Sequence, residues 1–220
     1  MHSIVNNLYS QTFYVMVALG CGLCAGLARG DAYEDMQGAA RTGNVVVMKQ
    51  LLSKGLDVDS VDRVGSTLLI TAANAGQLEA VKLLVGARAK INARNQYGES
   101  ALMMAAIRGH REIVEYLIER GAQLNPEGWS PLMFAVVKGH VEIARLLIAK
   151  GAKVDAISDN GTTALMLAAK EGNLDVVLFL LERGASVNMR NQAGATALGM
   201  ALAGKRRDVA NALLRSGAEQ

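Results

Sequence analysis

The sequence predicts an all-α fold, a solenoid of stacked helix–turn–helix units, from three recurrences. Turn glycines fall at Gly43, Gly76, Gly109, Gly139 and Gly172, in steps of 33, 33, 30 and 33 residues. A helix-ending position falls at Gly55, Arg88, Gly121, Gly151, Gly184 and Gly217, 33 apart except for one step of 30. A capping hydroxyl falls at Thr67, Ser100, Ser130, Thr163 and Thr196. A unit of this length holding two helices cannot bury its apolar face alone, so the repetition means stacking.

The stretch from Tyr97 to Asn125 displays one unit in full. Ser100 offers an N-cap to a first short helix whose inner face is Leu102, Ala105 and Ala106. Gly109 breaks that helix, and a second begins near Arg111 with Ile113, Val114, Leu117 and Ile118 on one stripe. Gly121 then ends it, since glycine takes a left-handed backbone at little steric cost.

These residues resemble the ankyrin repeat family. The nearest copies of its pattern are GWSPLMFAVVKGHVEIARLLIAKGAKVD from Gly128 and GTTALMLAAKEGNLDVVLFLLERGASVN from Gly161. The resemblance covers residues 31–220 and divides them into about six repeats: 31–61, 62–94, 95–127, 128–157, 158–190 and 191–220. It implies an ankyrin-repeat solenoid with short β-hairpin fingers between units. It also implies protein binding through the fingertips and first helices, which together line a concave groove.

The segment before the repeats differs in kind. Residues 1–28 carry no Lys, Arg, Asp or Glu, and FYVMVALGCGLCAGLA from Phe13 to Ala28 is almost wholly apolar. It ends in small residues, which predicts a secretory signal peptide cut after Ala28 or Gly30. About 16 apolar residues is short against the ~20 that span a bilayer. Two membrane-bound readings stay open beside export. Ala18-Leu19-Gly20-Cys21 loosely resembles a bacterial lipoprotein box, and an uncleaved anchor could pack through Gly22-x-x-x-Gly26. An anchor preceding Arg29 would tend to keep the repeats cytoplasmic.

Taken in order, the first repeat is degenerate. Glu34, Asp35, Gln37 and Arg41 suit a terminal cap with a polar outer face, and one of Val45, Val46 and Val47 is expected to face solvent. Repeats two and three follow the pattern, with Arg88 in place of one helix-ending glycine. Three residues are missing between Asn125 and Gly128, which predicts a shortened finger beside Trp129, the sole tryptophan. Repeats four and five are regular. The sixth places Gly199 inside its first helix and Lys205-Arg206-Arg207 at the inter-helix turn, then ends in a polar cap with Arg215, Glu219 and Gln220.

Composition narrows the function classes. The net charge of +3 comes from interspersed charges, and aromatics make up 4%, so neither a nucleic-acid surface nor base-stacking platforms are implied. Cys21 and Cys24 both precede the repeats, which excludes a disulfide framework or thiolate metal site within them. Their Cys-x-x-Cys spacing lacks the βαβ setting of a redox motif.

His110 and His140 share one slot after the turn glycine, where the resemblance implies turn hydrogen bonds, and no third metal ligand stands nearby. Glu79, Glu112, Glu142, Asp175 and Asp208 share another slot, at the positive end of each second helix. Repetition of this kind marks structure rather than a catalytic site, and neither enzyme nor cofactor is expected. Asn160-Gly161-Thr162 matches a glycosylation sequon but is accounted for by turn geometry at a fingertip. Met103, Met133 and Met166, with Ile70, are expected to form an apolar ladder between repeats.

Mapped onto this sequence, the groove slots give Arg63, Arg94, Tyr97, Arg108, Trp129, Lys138, Lys170 and Arg190 as the candidate partner-binding residues. Six cations there predict an acidic protein partner, and two aromatics beside arginines have the composition of an interface anchor. Trp129 could equally cover the gap of the shortened finger. The expected protein is a monomeric, non-catalytic binding module, exported and most simply bacterial and periplasmic. Its competitors are a membrane-anchored cytoplasmic scaffold and a secreted host-interaction factor.

Overall fold

The computed structural model describes residues 32–219, which form twelve helices in six pairs. The pairs are α1 (32–42) with α2 (Val45–Ser53), α3 (Leu68–Asn74) with α4 (Leu78–Gly86), and α5 (Ala101–Arg108) with α6 (Arg111–Glu119). They continue as α7 (Pro131–Val137) with α8 (Val141–Ala149), α9 (Ala164–Glu171) with α10 (Leu174–Glu182), and α11 (Ala197–Ala203) with α12 (Arg207–Arg215). The segment expected to be a signal peptide, with Cys21 and Cys24, lies outside the described residues. No described helix is long and apolar enough to cross a membrane.

Local chemistry sets the helix ends. Thr67, Ser100, Ser130, Thr163 and Thr196 each accept a hydrogen bond from the backbone N–H three residues on, so all five expected hydroxyls are N-caps. Pro131 sits at the first helical position of α7, where its missing N–H costs nothing. The first-turn carboxylates Glu79, Glu112, Glu142, Asp175 and Asp208 lie at the positive ends of α4, α6, α8, α10 and α12. The inter-helix residue of the last repeat, Lys205, adopts φ +56°, and Arg88 adopts φ +67°, so both take the left-handed backbone of the glycines they replace.

One core runs the length of the stack. The odd-numbered helices form an inner layer and pack closely against one another, whereas the even-numbered helices form a looser outer layer. Alanines make the inner spacing possible: Ala72, Ala73, Ala105, Ala106, Ala168 and Ala169 are fully buried. Two layers with unequal spacing must curve, which puts the odd helices on the concave side. Ile70, Met103, Met133 and Met166 are all buried in the inner layer, as a ladder requires. Of the three valines in α2, Val46 is the exposed one.

One expectation needed revision. Gln37 does not belong to an exposed polar face: it is buried, accepts a hydrogen bond from Thr71 at 2.9 Å and donates to the Tyr33 hydroxyl at 2.8 Å. Its partner on the next repeat makes burial tolerable. The histidines make their hydrogen bonds to the inter-helix end of the preceding repeat. His110 Nε2 lies 3.4 Å from the Asn74 carbonyl oxygen and His140 Nε2 lies 3.1 Å from that of Ile107.

Candidate functional site

The hairpin fingers are built by side chains of Asp, Asn and Ser that bond their own loops. Asp62 Oδ1 accepts from the N–H groups of Val64 and Ser66, Asn95 Oδ1 from those of Tyr97 and Glu99, and Asn191 Oδ1 from those of Ala193 and Ala195. Ser158 and Asn160 do the same for the Thr162 N–H. Single antiparallel bridges close three fingers: Val61 with Thr67, Arg94 with Ser100, and Ile157 with Thr163. Neighbouring fingers are then tied together, because the Gln96 N–H donates to the Val64 carbonyl and the Gln192 N–H to that of Asn160, each at 3.0 Å.

That palisade is interrupted where three residues are missing. No bridge among the described residues closes the segment before Ser130. Its link to the preceding finger is made by Arg94, whose guanidinium donates to the Glu127 carbonyl at 3.5 Å. On the other side the Asp159 carboxylate packs so near Gly128 that a Cβ there would stand 3.0 Å from it. Space remains above the inner helices.

Three hollows follow one another under the fingers. The first, of about 420 Å³, lies among Tyr33, Glu34, Arg41, Asp62 and Arg63. The second, of about 230 Å³, includes Arg41, Asp62, Thr71, Asn74 and Tyr97 together with Val64, Ile70 and Met104. The third, of about 360 Å³, lies at the shortened finger and is lined by Tyr97, Gly98, Glu99, Ile107, Trp129, Phe134 and Val137. Tyr97 is 68% exposed and stands between the second and third.

Trp129 keeps 41% of its surface exposed while its ring meets Phe134 edge-on, with centroids 5.5 Å apart. Its ring thus packs beside the shortened finger and leaves part of its surface open to the third hollow. The Tyr33 phenol in the first hollow is pushed above its usual pKa by burial; a hydrogen bond from Gln37 opposes this and the charge of Asp62 adds to it. Away from the groove, Lys82 is raised by its hydrogen bond to Glu79.

The six candidate cations are all exposed. Arg63 lines the first hollow, and Arg94 ties two repeats as described. Arg108 Nε donates to Asn74 Oδ1 at 2.9 Å, whereas Arg190 donates to the Gly194 carbonyl within its own finger. Lys138 caps the end of α7 and Lys170 lies in the last turn of α9. None of the six forms an ion pair among the described residues. Arg108 and Lys138 share one slot beside the turn glycine, and the next repeat fills that slot with Glu171. Positive charge on these inner-helix ends is therefore densest at repeats three and four.

Ile107, Phe134 and Val137 were not among the residues that sequence reasoning selected for the groove. Their signal was present: Ile107 and Val137 occupy the slot that holds Asn74 and Lys170 in other repeats. Among the described residues, no three His, Cys, Asp or Glu side chains gather in a way that could hold a metal ion.

Residues 36–127, 70–158, 121–191 and 153–220 match a family model described as ankyrin repeats in three copies. Among solved structures, the chain is similar to the crystal structure of the human ASB11 ankyrin repeat domain. The TM-score is 0.77 at 30% identity, over 84% of each chain. No curated protein sequence matches.

Proposed function

The chain belongs to the ankyrin repeat family, and from that premise we propose that it binds an acidic protein partner through its concave face in an exported compartment. Ankyrin repeats are generally protein–protein interaction modules and typically non-catalytic. The observation that carries the proposal is the row of six exposed cations with no ion-pair partner among the described residues. Such a row raises the encounter rate with an acidic surface and disfavours basic ones. Chemical crosslinking in the native host tests it. Wild-type chain is expected to capture a protein that a variant carrying Arg63→Glu, Arg108→Glu, Lys138→Glu and Lys170→Glu does not. Equal capture by both would sink the concave-face reading.

Export rests on the apolar run from Phe13 to Ala28 and its small-residue end. The competing reading is an uncleaved anchor, favoured by the lack of Lys or Arg before Arg29; the repeats would then face cytoplasmic partners. Intact mass of the protein from its native host separates the two. Loss of residues 1–28 or 1–30 supports export, and a full-length mass in the membrane fraction supports the anchor.

A further inference from the structure

The three-residue deletion before Gly128 coincides with a finger that no bridge closes among the described residues. Beside it lies a notch of about 360 Å³ lined by Tyr97, Glu99, Ile107, Trp129, Phe134 and Val137. An apolar notch of this size matches one large side chain with part of its backbone. Two exposed cations adjoin lining residues in the chain, Arg108 after Ile107 and Lys138 after Val137, at the ends of α5 and α7, and Arg108 Nε is held by Asn74 Oδ1 of the preceding repeat.

One carboxylate, Glu99, lines the notch and accepts a hydrogen bond from Asn95 Nδ2 at 2.8 Å; the two cations outnumber it, and neither Arg108 nor Lys138 forms an ion pair among the described residues. The first hollow, by contrast, is lined by Glu34, Arg41, Asp62 and Arg63 and the second by Arg41, Asp62, Asn74, Asn95 and Glu99, so each carries several charged side chains where the notch carries one.

Resting on the protein-binding reading above, we propose that the notch receives one large apolar side chain from an acidic linear segment of the partner, with Asp or Glu beside that anchor meeting Arg108 and Lys138. The anchor supplies burial and the carboxylates supply register and steering. A purely acidic segment would leave the aromatic notch empty, and a purely apolar one would leave both cations unanswered.

Trp129 makes occupancy directly visible, since it is the sole tryptophan of the chain. A random twelve-residue peptide display library is panned against the full chain, and the enriched peptides are synthesised and titrated. The expected peptides carry Leu, Ile, Phe or Trp flanked by Asp or Glu. Those without Trp shift the Trp129 emission to shorter wavelength and protect it from acrylamide. Arg108→Glu with Lys138→Glu weakens binding at least about tenfold, and raised salt weakens it too.

Tyr97→Ala, at an exposed side chain that the fold does not need, also weakens binding while circular dichroism and Tm stay at wild-type values. The proposal is overturned by failure to enrich peptides, by enrichment of another composition, or by binding that leaves Trp129 unmoved. Binding lost with Arg63→Glu or Arg190→Glu but kept in the Arg108/Lys138 variant would overturn the notch and leave the concave-face reading standing. Binding indifferent to both sets would overturn both.

Discussion

Arg88 stands exposed at a helix end with φ +67°, in the slot where five other repeats carry glycine. A Cβ in this left-handed region costs roughly 1–2 kcal/mol, and glycine gives back part of that through its own backbone entropy. Arg88→Gly is therefore expected to stabilise the fold by about 0.5–1 kcal/mol, whereas Arg88→Ala leaves the strain in place. Urea unfolding of the two variants reads the difference. A glycine variant no more stable than the alanine one would mean that the local backbone is not strained. The sequence shows this substitution plainly, because a break in a strict recurrence is visible without any structure.

At the scale of the element, helix ends and fingers are legible in the chain for the same reason: each is decided within about five residues. Thr163 caps α9 by bonding the Met166 N–H, and Asn95 closes its finger by bonding Tyr97 and Glu99. What sequence reasoning missed spans repeats. Asn92, Asn125 and Asn188 each accept a backbone N–H of the following repeat and donate to the carbonyl of its helix-ending glycine.

Asp59 and Asp155 hold the same place as acceptors from Lys90 and Ser186. These bonds join residues 26 to 31 apart, and no local pattern announces them. Gln37 was misread for the same reason, its burial being licensed by Thr71 on the next repeat. Asn125→Ala removes a bond of 2.7 Å from the Lys153 N–H and one of 2.9 Å to the Gly151 carbonyl. A loss of about 1–2 kcal/mol is expected, with hydrogen exchange rising first at the junction of repeats three and four. Uniform acceleration along the whole chain would instead mean that the junction is not an independent unit.

Across the whole molecule, the repeat architecture explains why the candidate site could be only half read in advance. The slots of Arg108, Lys138, Tyr97 and Trp129 follow from the period, but the notch among them is a space, and a space appears only when neighbouring units are stacked. The same dependence on neighbours makes the last repeat indispensable. One side of α12 buries Val209, Ala210, Ala212 and Leu213, and the other exposes Arg207, Asp208, Asn211 and Arg215.

Removing residues 191–220 uncovers the faces of α9 and α10 that α11 and α12 pack against. Terminal repeats with a polar outer face keep solenoids soluble. A chain ending at Arg190 is therefore expected to self-associate on gel filtration and to bind the dye ANS, while keeping most of its helical circular dichroism. If that chain runs as a dye-silent monomer, then the polar side of α12 is not what protects the end of the stack. The exposed Leu178 and Leu214 on the outer helices would then show how much apolar surface this fold tolerates uncovered.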